Sequence, residues 1–189
     1  LLLPGSRVKE ITGVLPVMLK ALSLIQKARP EVDFILQKAP SIDTELLESI
    51  LRTSPVPVRL VEGDGYDVMK ASDAALATSG TVTLECALCG LPSVICYRAS
   101  ALSIAIARHL VYVKYIGLPN ILAGKEILPE LIQEKLTPEN MASSVLAFLD
   151  PVEGKTVRGE LAQAVSKLGR PGAVARTAAL ILQTAKENS

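Results

Sequence analysis

The stretch that decides the fold is AALATSGTVTLECALCGLPSVIC, which covers residues 74–96. It predicts a strand over residues 74–77, a helix over residues 81–88 and a second strand over residues 93–96. Gly90 is placed to end the helix, because glycine readily adopts the left-handed conformation that follows a last helical turn. Two strands joined by a helix in this way lie parallel in one sheet, with a right-handed crossover between them.

The same alternation of strand and helix extends over the first two-thirds of the chain. Further strands are predicted at residues 1–3, 32–36, 56–61 and 115–118, and further helices at residues 8–28, 41–51, 67–71 and 101–113. Ser41, with Glu45 near capping-box distance, is expected to cap the helix at 41–51. Five or six such units predict an α/β fold with a Rossmann-like, doubly wound parallel sheet.

The strand signal stops at about Pro129, and the remainder of the chain is predicted to be helical. The expected helices cover residues 137–149, 154–168 and 172–186. We therefore expect a Rossmann-like domain over residues 1–128 and a C-terminal helical segment over residues 129–189. The chain starts with Leu1-Leu2-Leu3, which is typical of a strand already under way, so we also expect a further domain to precede it.

Composition and charge exclude several classes of protein. With 20 Lys and Arg against 19 Asp and Glu, the net charge of +1 argues against nucleic-acid binding, which needs clustered positive charge. Hydrophobic residues make up 49% of the chain, which excludes a disordered protein. No uninterrupted run of about 18 apolar residues predicts a transmembrane helix. The cysteines are few and odd in number, which favours a reducing cytosol over an oxidising exterior.

The loops after the first and fourth strands carry the residues best suited to bind phosphate. In a doubly wound sheet these strands usually meet where the strand order reverses, and ligands bind at that point. The two loops are Pro4-Gly5-Ser6-Arg7 and Thr78-Ser79-Gly80-Thr81. Both open helices, whose unpaired N–H groups attract phosphate, and the guanidinium of Arg7 adds a planar fork of donors. The alternative is that the hydroxyl residues are ordinary helix N-caps, namely Ser6, Ser79 and Thr81.

Glu85 lies one turn into the helix that follows Gly80. A carboxylate at that distance from a phosphate site can accept two hydrogen bonds from the hydroxyls of a ribose. The alternative is that Glu85 interacts with the helix dipole or forms a salt bridge. The sequence thus gives Glu85 two interpretations, nucleotide binding and helix stabilisation.

Other ligand motifs are missing from the sequence. No Asp-x-Asp pair is present to hold a metal ion on a sugar diphosphate, and no metal site is predicted. Cys86 and Cys89 have the CxxC spacing without a second ligand pair, so we interpret them as core thiols. His109 is alone in an apolar segment, which favours a structural histidine over a general base.

The segment from Arg98 to Lys125 carries basic residues and no acidic residue. Its apolar residues cover more than one face of the helix predicted at 101–113. Such a helix is either buried on both sides or part of a surface for a lipid or an anionic membrane face. The residues expected at a lipid or membrane contact are Arg98, Leu102, Ile106, Arg108 and Lys114.

A series of motifs runs along the whole chain. In order, they are Leu3-Pro4-Gly5-Ser6-Arg7 with Glu10-Ile11, ATSGTVTLE at residues 77–85, Tyr97-Arg98, LPNILAGKE at residues 118–126 and Gly169-Arg170-Pro171-Gly172-Ala173. In their order and spacing, these motifs resemble the lipid-A-disaccharide synthase family.

The resemblance implies the GT-B fold, in which two Rossmann-like domains face a cleft. This chain resembles the C-terminal, nucleotide-sugar half, so the N-terminal acceptor domain is expected to be missing from it. The implied reaction joins UDP-2,3-diacylglucosamine to 2,3-diacylglucosamine 1-phosphate (lipid X), with inversion, and gives lipid A disaccharide 1-phosphate and UDP. The resemblance further implies no cofactor, a cytoplasmic location on the inner face of the inner membrane of Gram-negative bacteria, and a possible homodimer through the C-terminal helices.

The resemblance and the chemistry of UDP departure together suggest roles for individual residues. The N–H groups of residues 79–81 and the Arg7 guanidinium would stabilise charge on the leaving diphosphate. Asn120 would face the same cleft and bind the donor or the diphosphate, and Gly63 with its neighbours would line a uracil pocket. The general base is expected in the missing half, so this chain alone would bind UDP weakly and not turn over.

Two other functions stay open. One is another GT-B UDP-sugar transferase or an epimerase, because those enzymes share a glutamate after a Ser-Gly loop. The other is a non-catalytic nucleotide-binding or dimerisation module. Activity that survives the loss of Glu85 and Arg7 in the full-length protein would favour the module.

Overall fold

The computed structural model describes residues 1–98, 114–170 and 172–187. Its strands are β1 (Leu2–Leu3), β2 (Ile35–Gln37), β3 (Arg59–Val61), β4 (Ala75–Thr78), β5 (Ser93–Tyr97) and β6 (Glu130–Ile132). Its α-helices are α1 (Val8–Ala28), α2 (Thr44–Leu51), α3 (Gly65–Lys70), α4 (Thr81–Leu88), α5 (Leu118–Ala123), α6 (Pro138–Leu149), α7 (Pro151–Ser166) and α8 (Ala173–Glu187). A short 3₁₀ turn at Gln133–Lys135 connects β6 to α6.

The strands form one parallel sheet in the order β3-β2-β1-β4-β5-β6. Leu2 of β1 is in register with Leu36 of β2 on one side and with Leu76 of β4 on the other. The order reverses between β1 and β4, so the carboxyl ends of these two strands form the switch point of the sheet. The predicted Rossmann-like, doubly wound sheet with a helical C-terminal tail is confirmed.

The sixth strand lies elsewhere than the sequence predicted. The chain has no strand at 115–118 and instead forms helix α5 from Leu118. Pro119 lies in the first turn of this helix, where its missing N–H costs nothing because that group would be unpaired in any case. The sixth strand is β6, which pairs with β5 through Cys96 and Leu131. It is a short edge strand with polar Glu130 at its start, so its hydrophobic signal is weak. The sheet therefore extends to Ile132, past residue 128 where the helical segment was expected to begin.

The start of α2 also differs from the prediction. The helix begins at Thr44, and the side chain of Asp43 caps it by accepting a hydrogen bond from the Glu45 N–H at 3.2 Å. Ser41, which was predicted as the cap, instead donates from its hydroxyl to the carbonyl oxygen of Ser6 at 3.0 Å. This bond ties the loop after β2 to the loop after β1. The helix predicted at 101–113 lies outside the described residues.

Helix α1 buries one apolar face against the sheet and against α6. Its apolar residues recur at helical spacing, and Leu15 and Met18 are fully buried. They belong to one core cluster with Leu76 of β4, Met141 of α6 and Leu161 of α7. The strands, α1 and the first two helices after β6 therefore share a single hydrophobic core.

The cysteines are free thiols, and Cys86 is fully buried in the core as predicted. Cys89, also predicted as a core thiol, is only partly buried, whereas Cys96 is fully buried. Burial raises the pKa of the Cys86 thiol to about 12 and raises that of Cys96 further still. Cys89 is partly exposed, and desolvation raises the pKa of its thiol as well. The buried thiols therefore stay protonated at neutral pH and act as small apolar side chains.

The C-terminal helices differ in how they are packed. Helix α7 is fixed to α5 by Lys167, whose ammonium donates to the carbonyl oxygen of Leu122 at 2.8 Å, and by an ion pair between Lys125 and Glu160 at 2.6 Å. Helix α8, by contrast, leaves large apolar side chains exposed. These are Val174, Leu180, Ile181 and Leu182. None of the helices in the described part of the chain is both long and apolar enough to cross a membrane.

Two glycines of α7 provide a matched test of this packing. A Cβ on Gly154 would collide with the backbone carbonyl oxygen of Phe148, whereas a Cβ on Gly159 would meet no atom within 4 Å. We expect Gly154→Ala to lower the free energy of unfolding by about 1–3 kcal/mol, as overpacking does. Gly159→Ala should raise it by about 0.5–1 kcal/mol, because alanine favours the helix over glycine. Urea denaturation of both variants measures the difference, and equal effects would contradict the packing described for α7.

Candidate functional site

A cleft of about 700 Å³ opens at the carboxyl ends of β1 to β4. It is lined by the loops that follow these strands and by the first turns of α1, α3 and α4. Except for Asn120, the residues that the sequence predicted for nucleotide binding line this one cleft, namely Gly5, Ser6, Arg7, Gly63, Ser79, Gly80, Thr81 and Glu85. They come together because the parallel strands end at the same edge of the sheet. That they bind a nucleotide stays a prediction.

The loop after β1 presents the N-terminus of α1 to the cleft. No side chain caps this helix, so neither Ser6 nor Arg7 satisfies its first N–H groups. The Arg7 guanidinium pairs with the Glu10 carboxylate at 2.7 Å, and the Arg7 side chain is 79% exposed. An exposed ion pair of this kind contributes at most about 1 kcal/mol. Arg7 is therefore placed at the cleft and only weakly held there.

The loop after β4 presents the N-terminus of α4 in the same way. Gly80 is the N-cap residue, and no side chain accepts a hydrogen bond from the first turn. Thr83 is fully buried, and its hydroxyl donates to the carbonyl oxygen of Gly80 at 2.8 Å. The structure therefore contradicts the alternative interpretation of the hydroxyl residues. None of the three caps its helix through its side chain, namely Ser6, Ser79 and Thr81. The unpaired N–H groups of α4 remain available to an anion.

Glu85 is half-buried on the cleft side of α4, one turn from Gly80. Within the described residues it makes no ion pair and no side-chain hydrogen bond. The alternative of a salt-bridge carboxylate therefore finds no partner in that part of the chain. Its carboxylate oxygens are free to accept hydrogen bonds from a ligand.

The cleft also contains Gln37 and Tyr66, which the sequence did not predict, and Thr78, which the sequence predicted only as part of the phosphate loop after the fourth strand. Thr78 is 3% exposed at the end of β4, and its hydroxyl has no partner among the described residues. Gln37 ends β2 and lines the cleft with Tyr66, which is 46% exposed. Gln37 and Thr78 are the last residues of their strands. That position, at the edge where ligands bind, was the signal that could have identified them.

An ion pair joins the loops after β2 and β3 at the side of the cleft. The Lys38 ammonium lies 3.0 Å from the Glu62 carboxylate, to which the Thr44 hydroxyl donates at 3.2 Å. The hydrogen bonds from Lys38 and Thr44 hold the pKa of the Glu62 carboxyl below its usual range. Next to it, the Asp64 side chain caps α3 by accepting from the Tyr66 N–H at 2.9 Å. These contacts fix the shape of the wall around Gly63.

Asn120 has a different role from the one predicted. It is fully buried, and its side-chain oxygen accepts hydrogen bonds from the N–H groups of Ile127 at 2.8 Å and Leu128 at 2.9 Å. Its side-chain nitrogen donates to the Leu128 carbonyl oxygen at 2.8 Å and to the Glu130 carboxylate at 2.9 Å. With every polar group already paired, Asn120 does not face the cleft, and the prediction that it contacts a ligand is wrong for this structure. It instead holds the segment between α5 and β6.

Two of the residues predicted for lipid or membrane contact lie in the described part of the chain. Arg98 donates from its guanidinium to the carbonyl oxygen of Gly13 at 3.1 Å, so its side chain lies along α1. Lys114 is exposed, and its ammonium lies 5.2 Å from the centre of the Tyr115 ring. Leu102, Ile106 and Arg108 lie outside the described residues, as does His109. A lipid or membrane contact stays a prediction.

In the described part of the chain, no three His, Cys, Asp or Glu side chains come together as metal ligands would.

Gly5 is expected to be indispensable to the loop after β1. Its φ is +109°, and a Cβ there would lie 2.6 Å from the Glu10 carboxylate. Gly63 has a similar φ of +113° but nothing within 4 Å of a Cβ. We expect Gly63→Ala to cost only the backbone strain, about 1–2 kcal/mol, and Gly5→Ala to cost more because the collision adds to it. Thermal unfolding compares the two variants, and an equal or smaller loss for Gly5→Ala would contradict the placement of Glu10.

The comparisons with known proteins agree with this architecture. A likeness to a solved structure from Listeria monocytogenes, described as a UDP-N-acetylglucosamine 2-epimerase, has a TM-score of 0.65 at 19% identity and covers 98% of this chain and 44% of that one. At this identity the likeness supports the fold alone, and it agrees with the predicted Rossmann-like, doubly wound sheet.

Sequence relatives identify the family. The chain is 45% identical to a lipid-A-disaccharide synthase of Syntrophus aciditrophicus, over 99% of its own length and 49% of the relative. It is 39% identical to the corresponding protein of Geobacter metallireducens, over 96% of its length and 48% of the relative. The chain thus spans about half the length of these relatives. The model of the family described as lipid-A-disaccharide synthetase matches residues 1–183, and the chain therefore belongs to that family.

Proposed function

We propose that this chain is the donor-binding half of a lipid-A-disaccharide synthase and that its cleft holds the UDP portion of UDP-2,3-diacylglucosamine. The observation that carries the proposal is the opening of two uncapped helix N-termini, those of α1 and α4, into one cleft at the switch point of the sheet. Helix N-termini bind phosphate through unpaired N–H groups and the positive end of the helix dipole. Family membership supports the identity of the sugar nucleotide.

In the proposed reaction, departure of UDP leaves negative charge on the diphosphate. The N–H groups at the start of α4 and the Arg7 guanidinium stabilise that charge, and they do so best if they are in place before it develops. Arg7 is exposed and, among the described residues, held by Glu10 alone, so the diphosphate can replace Glu10 as its partner. Glu85, one turn further along α4, accepts hydrogen bonds from the ribose hydroxyls.

The rest of the reaction belongs to the half of the family that this chain does not match. We place the acceptor, lipid X, and the general base in that half, and the product is a lipid A disaccharide 1-phosphate. Because the acceptor and the donor are both acylated, the proposed enzyme works at the inner face of the inner membrane. The basic and apolar segment from Arg98 to Lys114 is the proposed contact with lipid.

We also propose a homodimer through the C-terminal helices. Val174 is 86% exposed, and Leu180 and Ile181 are each 63% exposed on α8. A set of exposed apolar side chains on one helix is favourable only when another surface covers it. Sedimentation of the chain with and without residues 173–187 tests this, and a monomer in both cases would contradict it.

Calorimetric titration with UDP, UMP and ADP tests the proposed donor site. We expect the chain to bind UDP weakly, UMP less well because it lacks the second phosphate, and ADP less well because its base differs. Transfer activity is expected only when the chain is joined to the N-terminal half of the family. A folded chain that binds ADP as well as UDP would contradict the assignment of a uridine nucleotide.

A further inference from the structure

Besides the Thr78 hydroxyl, a second polar group in the wall of the cleft has no partner among the residues described. The side-chain oxygen of Gln37 is buried and makes no hydrogen bond there. A buried amide oxygen in this state is costly, and a role at a functional site is one of the explanations for keeping it. Gln37 is the last residue of β2, so it stands at the ligand-binding edge of the sheet.

The surroundings of Gln37 have the features of a pocket for a flat, polar ring. Its amide lies against Gly65, where a Cβ would come within 2.7 Å of the Gln37 nitrogen, so a larger residue there would make the amide shift. The neighbouring Tyr66 is 46% exposed and lines the same wall. The ion pair between Lys38 and Glu62 joins the loops that follow β2 and β3. The wall is thus built around Gln37, next to Gly65 and Tyr66.

The position of Gln37 in the sheet also suits a contact with the base of a nucleotide. β2 lies two strands away from β4, which is about 10 Å at the usual spacing of strands in a sheet. A diphosphate at the start of α4 and a ribose on Glu85 would leave the base to extend towards α3. Met69 of α3 and Cys86 of α4 share one cluster, so these two helices border the same end of the cleft.

We propose that Gln37 is the residue that recognises the base of the nucleotide, an inference that rests on the proposed function. Uracil presents an N3–H donor flanked by carbonyl acceptors, and an amide presents one acceptor and one donor that complement them. In the bound state that we propose, the Gln37 amide turns towards the cleft, because its oxygen is buried in the chain without ligand. The oxygen then accepts from N3–H, and the nitrogen donates to the adjacent carbonyl of the ring. The ligand thereby supplies the hydrogen bond that the protein leaves unmade.

The test is a cycle of two ligands and two proteins, measured by calorimetry. UDP is compared with N3-methyl-UDP, which lacks the donor, on the unmodified chain and on Gln37→Met, which has a similar length but no amide. We expect the unmodified chain to prefer UDP by about tenfold or more, and the preference to fall below about twofold in Gln37→Met. Gln163→Met, on an exposed position of α7, is the matched control and should keep the preference.

The outcomes of this test distinguish a failure of the inference about Gln37 from a failure of the proposed function. Because the Gln37 oxygen has no partner, Gln37→Met is expected to unfold at a temperature no lower than the unmodified chain, so a loss of binding would not reflect unfolding. If Gln37→Met keeps both its affinity for UDP and the full preference, Gln37 does not read the base and the proposed function still stands. If the unmodified, folded chain does not bind UDP, both fail together.

Discussion

Replacing Asn120 with alanine is expected to lower the free energy of unfolding by about 3–5 kcal/mol. The substitution removes four hydrogen bonds inside the protein and leaves the N–H groups of Ile127 and Leu128 without their acceptor. Each buried group left unpaired costs about 1–3 kcal/mol, and the individual costs do not simply add. Urea denaturation measures the loss.

Two further variants make this result specific. Asn140→Ala removes an exposed asparagine from α6 that donates one hydrogen bond to the Lys135 carbonyl oxygen, so it should cost less than about 1 kcal/mol. Asn120→Asp keeps the size of the side chain but sets a carboxylate oxygen against the Glu130 carboxylate, and it should also be strongly destabilising. A near-neutral Asn120→Ala would show that Asn120 does not hold the segment between α5 and β6.

Replacing Glu85 with alanine is expected to weaken UDP binding by about 10- to 150-fold, which corresponds to about 1.5–3 kcal/mol for hydrogen bonds to a charged acceptor. The expected cause is the loss of the acceptor for the ribose hydroxyls. Because Glu85 has no hydrogen-bond or ion-pair partner within the described residues, the fold should be little affected. Calorimetry with UDP, after a thermal melt to confirm folding, measures the effect.

The control for this prediction is Glu48→Ala, which removes an exposed carboxylate from α2, away from the cleft. It changes the net charge by the same amount and should leave UDP affinity unchanged. Equal effects of the two variants would mean that overall charge, and not a contact with the ribose, determines binding. An unchanged affinity in Glu85→Ala would remove Glu85 from the site.

Local sequence signals predicted the parts of the fold that depend on periodicity. Helices α1 and α4 were predicted with the bounds that they have, because apolar residues at helical spacing fill α1 and clear breakers flank both helices. The cleft followed from topology, because the usual order of strands in a doubly wound sheet places β1 beside β4 and that order determines which loops meet. The phosphate loops after β1 and β4 were therefore brought together as expected.

Long-range contacts account for what the sequence did not predict. Strand β6 is stabilised by pairing with β5, and its own residues carry little strand signal. The burial of Asn120 depends on hydrogen bonds to residues 127–130, which no local pattern reveals. Gln37 was missed because a polar residue at the end of a strand looks the same in sequence whether it faces a ligand or water.

The most direct test of the account is a two-dimensional NMR titration of the 15N-labelled chain with UDP. We expect the largest amide shifts at residues 5–7, in the loop before α1, and at residues 80–82, at the start of α4, with further shifts at residues 63–66. Shifts confined to the opposite edge of the sheet, around Val32–Phe34 and Ala71–Ala74, would contradict it. So would the absence of any shift in a folded chain at millimolar UDP, because the uncapped helix ends would then not form a diphosphate site.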